Sequence, residues 1–457
     1  MTLYQRFAVY LTLVPLLGHP GYGFATTYYV STTGSDTNTG TLNLPFATLN
    51  YSESKLRAGD LLYVRGGTYY EAVYVDVSGT PASPITISGF QGETATIDGV
   101  YTNPAVSWGN LLRVAGSNDV VQNLTIKRSN WVGLALTGPY DQAMGITSQS
   151  NMENGIIVTG TADYSLVQNC NVYYNAKSNE SFQKSRGGWS TGLSAARGVN
   201  YVVLRNNQIW NNWGEGLSTF EAQHTLMESN VVYDNQLNVY LSDTKYSTCR
   251  GNLVYCTPGN VCSNISQIGI ALADETYNPP SSDNAVLNNL LLGNMKNIYY
   301  WSGASGGGLV NVVIAYNTSV NSATETNLKL LPGSHTNSVI ENNIFLQADS
   351  LPAAIVQTPS GIVFLSNLWS KTPPSGASGV GDVVGAPNLT NSGSTGPGQL
   401  SADWFRITAS SPAVGMAVPL ALVPTDFFGT PRGILPDIGA IQHTLPPPGN
   451  LRILSSQ

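Results

Sequence analysis

The sequence predicts an all-β solenoid, a parallel β-helix. Three observations lead there. A degenerate unit recurs along the middle of the chain: an apolar stretch, an Asn, a second short apolar run, and another Asn. It reads Asn169-Cys170-Asn171-Val172-Tyr173-Tyr174-Asn175, then Asn206-Asn207-Gln208-Ile209-Trp210-Asn211, then Ser229-Asn230-Val231-Val232-Tyr233-Asp234-Asn235. Taking Asn171, Asn207, Asn230, Asn252, Asn289, Asn317, Asn343 and Asn367 as anchors, the units are 22 to 37 residues apart. The short spacings define one coil, and the long ones are coils with loop insertions.

The second observation is the content of each unit. It holds two or three short strands rich in Val, Ile, Leu and Tyr, separated by Asn and Gly, which tolerate the left-handed backbone of a tight bend. A strand this short cannot bury its apolar face alone, so the units must stack. Successive Asn side chains then lie about 4.8 Å apart and can bond along the column. Leucine-rich repeats would need a regular Leu pattern and a helical side, and propellers longer strands in fours. The third observation is composition. Of 457 residues, 42% are apolar but only 10% are charged, while Gly (47) and Asn (42) are abundant. So little Glu, Lys and Arg excludes a helical bundle or coiled coil. A net charge of −7, with 20 basic against 27 acidic residues, argues against a nucleic-acid partner, which needs a basic face.

The elements follow in chain order. Met1 to Ala25 reads as an export signal: Arg6 is its positive charge, Phe7 to Leu17 its apolar run, and Gly23 and Ala25 the small residues before the cleavage point. No later stretch is long and apolar enough for a membrane span, so a secreted or periplasmic monomer is expected. The solenoid should run over 26–445, with a cap over about 26–60 and a closing segment over about 385–445. Within the cap, Pro45 to Leu56 can form a short amphipathic helix that covers the open first coil. Ala58-Gly59-Asp60 then turns into the strand at Leu61 to Val64. The tail 446–457, with Pro446-Pro447-Pro448, reads as a linker or frayed end. Cys256 and Cys262 bracket a loop and form a disulfide if export holds; four buried thiols, with Cys170 and Cys249, are the alternative. The cysteines and histidines carry no zinc spacing.

An ordered series at the N-terminus carries a resemblance. Tyr28-Tyr29-Val30-Ser31, Gly34-Ser35-Asp36, Pro45-Phe46-Ala47-Thr48, Ala58-Gly59-Asp60, Gly66-Gly67-Thr68-Tyr69, Gly79-Thr80-Pro81 and Pro84-Ile85-Thr86-Ile87 resemble the start of secreted right-handed β-helix proteins of the pectate lyase-like and chondroitinase B-like superfamily. Ser411-Pro412-Ala413-Val414-Gly415, Asp426 to Gly429, Pro431-Arg432 and Asp437-Ile438-Gly439-Ala440 resemble their closing segment. The resemblance implies a single right-handed parallel β-helix, export, and a polysaccharide substrate. It does not separate lyases from hydrolases, since a fold does not fix a reaction.

Aligning consecutive coils on their Asn anchors places Arg197, Glu221, Asp243 and Asp274 in one column at a strand end. Carboxylates about 4.8 Å apart repel. The column can therefore be a Ca²⁺ site of Glu221, Asp243 and Asp274, an acid/base pair, or a solvated polar turn. Glu215, between Gly214 and Gly216, could reach into a groove, and Trp189 and Trp213 could stack on sugar rings. His224 lies on the same coil as a further candidate. Two insertions, Ala176 to Gly188 with Lys177, Glu180, Lys184 and Arg186, and Asp274 to Asp283, could wall a groove across these coils.

Three functions remain open. A lyase would cleave a uronate glycan by β-elimination, with Lys184, Arg186, Arg197 or Lys245 as base and Ca²⁺ or Arg neutralising the carboxylate. A glycoside hydrolase would use paired carboxyls, Glu221 or Glu215 with Asp243. A glycan-binding surface protein would use the column for structure alone.

Overall fold

The computed structural model describes residues 25–107, 109–182, 189–258 and 267–443. The chain winds as a parallel solenoid in which each complete coil gives one strand to each of three sheets of 13, 11 and 13 strands. Every ladder between named strands is parallel. The first sheet runs from Thr27–Val30 to Ile362–Leu365, the second from Val73–Val75 to Ala354–Val356, and the third from Gly67–Tyr69 to Val383–Val384.

Most of these strands are three residues long, so period-2 alternation leaves one or two inward positions apiece. Val172, Ile209, Val232, Val254 and Leu291 form such an inward column in the third sheet, all fully buried. Stacked columns of this kind fill one continuous core along the solenoid.

Two asparagine ladders hold the corners. Asn207, Asn230, Asn252, Asn289, Asn317, Asn343 and Asn367 stack with each Nδ2 donating to the next Oδ1 at 2.9–3.0 Å. Each backbone N–H donates to that same oxygen. The residue just before each rung turns the corner at φ 52° to 60°, as Asn206, Ser229, Gly251, Asn288, Tyr316, Asn342 and Ser366. The anchor expected at Asn171 is one residue out. Cys170 occupies that rung, its N–H donating to Asn207 Oδ1, while Asn171 begins the strand Asn171–Tyr173. Asn169 and Asn171 flank the rung in sequence, and only Asn169 takes the left-handed bend. The second ladder runs Asn151, Asn175, Asn212, Asn235, Asn238, Asn294, Asn297 and Asn327 to Gln347, at 2.7–3.1 Å. Here too the rung is Asn212, and Asn211 makes the bend.

The N-terminal helix is shorter than its pattern suggests, spanning Leu49–Glu53, with the Thr48 side chain accepting from Tyr51 N–H at 3.3 Å. Its Leu49 is buried, with Leu56 beyond its end. No helix among the described residues is long and apolar enough to cross a membrane. The segment from about 385 to 443 lies along the outer face of the solenoid rather than across its end. It packs on Tyr233, Tyr255 and Tyr316, with Gly398 N–H donating to Tyr255 Oη and the Arg432 guanidinium 3.7 Å from the Tyr316 ring centre. Residues 1–24 and 444–457, Lys184 and Arg186, and Cys262 with any bridge to Cys256, lie outside the described residues. Cys170 and Cys249 are buried, unbridged thiols.

Candidate functional site

The longest strands of the solenoid lie side by side in the second sheet: Thr191–Ala196, Glu215–Phe220, Leu237–Ser242, Ile268–Asp274 and Lys296–Ser302. Inward, they present Leu193, Leu217, Val239, Ile270 and Ile298 to the core. Outward, the alternate positions present Ser194, Ser218, Phe220, Tyr240, Tyr299 and Trp301. This outer face floors a groove.

Two insertions reach its sides, through Trp189 where the first ends and through Glu275 in the second. The first leaves the scaffold at Ala176 and returns at Trp189. Its stems are tied by the buried Glu153 carboxylate, which accepts from Ser178 Oγ at 3.1 Å and from Ser190 Oγ. The second follows Asp274. Ala196 pairs with Phe220, Phe220 with Ser242, and Ser242 with Ala273. That register puts Arg197, Glu221, Asp243 and Asp274 on successive rungs, the first three at φ 49° to 62°.

The carboxylates of that column are used by the fold. Asp243 is fully buried and accepts from Thr276 N–H, Tyr277 N–H (2.8 Å) and Ser242 Oγ. Asp274 is fully buried and accepts from Ser281 N–H (2.8 Å), Gly308 N–H and Tyr300 Oη. These donors fix the start and end of the second insertion. They also point positive hydrogens at the oxygens a cation would need. Glu221, Asp243 and Asp274 therefore do not fit the expected calcium cage. Among the described residues no three His, Cys, Asp or Glu side chains converge to hold a metal ion.

The groove has two connected parts. One, of about 430 Å³, is lined by Arg197, Glu215, Phe220, Tyr240 and Glu275 with Trp189. The other, of about 310 Å³, shares Trp189, Glu215, Tyr240 and Glu275 and continues over Gln236, Tyr299 and Trp301. Trp189, 39% exposed, stands over both. The Tyr240 hydroxyl is buried with no hydrogen-bond partner. Burial, reinforced by the neighbouring Glu275 and Glu215 charges, pushes its ionisation well above the ordinary tyrosine range. A carboxylate pair, a cation and an aromatic floor thus meet at one place.

Of the sequence-derived residues, Arg197, Glu215 and Trp189 share this groove. Glu221, Asp243 and Trp213 do not line it. His224 and Lys245 lie at the next corner, where the chain enters the first sheet. His224 is stacked between Tyr201 and Tyr246 at 4.4 and 4.9 Å, within a five-ring column that Tyr164 and Tyr140 complete. His224 is thus a rung of a surface stack rather than a groove residue. The column reading missed Tyr240, Glu275, Tyr299 and Trp301. Period-2 alternation could have found the aromatics, since inward Val239 and Leu241 force Tyr240 outward, and inward Tyr300 does the same for its neighbours.

Comparison with known proteins matches residues 28–252 to the family model of the Pel9A-like right-handed β-helix region. An Emericella nidulans protein described as pectate lyase PEL9 is 26% identical over 233 residues, covering 47% of this chain and 55% of that protein. A Bacillus subtilis protein, the uncharacterized YwoF, is 32% identical over 136 residues, 30% of this chain and 26% of its own length. The chain thus spans about a quarter to a half of these curated relatives. The crystal structure of pectate lyase Pel9A superposes with a TM-score of 0.61 at 17% identity, covering 93% of this chain and 98% of that one. The shared feature is the fold.

Proposed function

We propose that this pectate lyase-like parallel β-helix is a secreted enzyme that cleaves a uronate-containing polysaccharide, laid along the outer face of its second sheet, by β-elimination. The observation that carries the reading is Arg197 set beside Glu215, Glu275 and Tyr240 in a groove floored and walled by aromatic rings.

Elimination passes the C5 proton to a base, forms the C4–C5 double bond and breaks the C4–O4 bond, the departing O4 oxygen taking up a proton to end as a hydroxyl. The negative charge that develops next to the uronate carboxylate must be neutralised, and Arg197 is the groove cation that would do so. The faces of Trp189 and Trp301 suit the apolar face of a pyranose. Lys184 and Arg186, carried by the insertion that ends at Trp189, are the other candidates for the base.

Hydrolysis is the second reading. Glu215 and Glu275 line both parts of the groove, and a pair of carboxyls flanking a bond is what a glycosidase requires.

The test is absorbance near 235 nm on a panel of uronate polysaccharides, with Ca²⁺ and with chelator. A rise establishes elimination and identifies the glycan. Reducing ends without absorbance at 235 nm move the chemistry to the carboxylate pair. No product from any glycan refutes the enzymatic reading.

A further inference from the structure

We infer that the part of the groove over Tyr299 and Trp301 is a subsite for a neutral sugar, so that the preferred polymer carries a neutral pyranose next to its uronate. This rests on the glycan reading of the groove.

The two parts differ in charge. Arg197 lines the first part only. Among the described residues, the second part is lined by no Lys, Arg or His, while Glu215 and Glu275 stand at its edge. Among the described lining residues, a uronate placed there would meet two carboxylates and no partner cation. Lys296 approaches the Tyr299 ring at 5.2 Å, but it is buried, paired with Glu325 at 2.7 Å, and does not line the groove.

The unpaired polar groups of this part suit hydroxyls. Gln236 is 5% exposed and its Oε1 has no partner, and Tyr240 is 4% exposed with its hydroxyl unpartnered. Leu237 pairs with Ile268, so Gln267 follows Gln236 one rung along. Gln267 leaves its Nε2 unpartnered as well. Of these, Gln236 and Tyr240 line the aromatic hollow, and leaving a buried polar group unpaired is costly, so the two form an array that a bound sugar would satisfy. Neutral pyranose hydroxyls donate to an amide oxygen and accept from a phenol, whereas a carboxylate only accepts. Tyr299 and Trp301 supply the stacking surface.

The experiment is calorimetric titration of the whole protein with three oligosaccharides of equal length: all-uronate, alternating uronate and neutral sugar, and all-neutral. The alternating ligand should bind at least about tenfold tighter than the all-uronate one, the worth of one well-placed hydrogen bond. Gln236→Leu should remove most of that preference and leave all-uronate binding within about twofold, and Trp301→Ala should weaken the alternating ligand several-fold more than the all-uronate one. Arg197→Ala should weaken both acidic ligands. Gln236→Leu deletes an unsatisfied acceptor, so its unfolding temperature should not fall, and a loss of binding is then not a loss of fold. Equal or tighter binding of the all-uronate ligand, or unchanged preference in both variants, overturns the subsite. Selective binding of the alternating ligand without any product at 235 nm would instead remove the elimination chemistry and keep the subsite.

Discussion

Asp141→Asn should change how stability depends on pH. Asp119 and Asp141 stack on adjacent coils, 1% and 0% exposed. Asp141 Oδ1 accepts Asp119 N–H at 3.1 Å, and Asp119 Oδ1 accepts Gly79 N–H at 3.0 Å, while both Oδ2 atoms are buried without partners. Burial raises Asp119 to about 7 and Asp141, with the Asp119 charge adding, to about 8. Both are therefore neutral in the folded chain at pH 5 to 6, where the unfolded chain has already ionised them. The folded state holds more protons, so stability is greatest below pH 4 for this pair and falls as pH rises toward 7 and 8. Each such group contributes a slope of a little over 1 kcal/mol per pH unit, so Asp141 alone removes roughly 3 kcal/mol between pH 5 and 7. That is a large part of a typical domain stability of roughly 5–15 kcal/mol. An Asn at 141 keeps the acceptor for Asp119 N–H and cannot ionise. Denaturant unfolding at pH 5, 6 and 7 and constant ionic strength should show the variant gaining on the native protein by about that amount. His335, whose burial lowers its pKa, acts in the opposite sense but cancels in the difference. Parallel pH profiles for the two proteins would refute the reasoning.

Other expectations follow from the corners and walls. Asn252→Ala deletes two acceptances from Asn230 and three donations, to Met227 O, Asn289 Oδ1 and Cys249 Sγ, leaving Asn230 N–H orphaned; a loss of roughly 2–4 kcal/mol in denaturant unfolding is expected. Gly138→Ala would place a Cβ 1.5 Å from Gly116 O, so the backbone must move, and the cost should be at least about 2 kcal/mol by the same measurement. Asp243→Ala should speed proteolytic nicking within 275–283, because Thr276 and Tyr277 lose the acceptor that fixes the insertion.

The solenoid was legible because its repeat is written in one residue type with one job. Asn both bonds along a column and sits beside a bend, so the pattern survives variation of the apolar residues between. That double use also caused the one-residue error at Asn171, since Asn169 and Asn171 flank the rung that Cys170 holds and only Asn169 makes the bend. The Arg197 to Asp274 column was legible because strand length fixes register between neighbouring coils. What its side chains do was not legible. A carboxylate at a strand end looks the same in sequence whether it faces a substrate or receives the N–H groups of a loop, and Asp243 and Asp274 do the latter. Glu275 was missed because it follows the strand Ile268–Asp274 and so lies outside the alternation that marks Trp301 as outward.

The most direct test of the account compares the groove with the corner beyond it. In the assay near 235 nm on the cleaved glycan, Arg197→Ala should lower kcat/KM by about 100-fold or more, the scale of one lost electrostatic partner. His224→Ala, which breaks only the surface stack, should stay within about twofold. Full activity in Arg197→Ala, with activity lost in His224→Ala, would place the chemistry on another face of the solenoid and contradict the account.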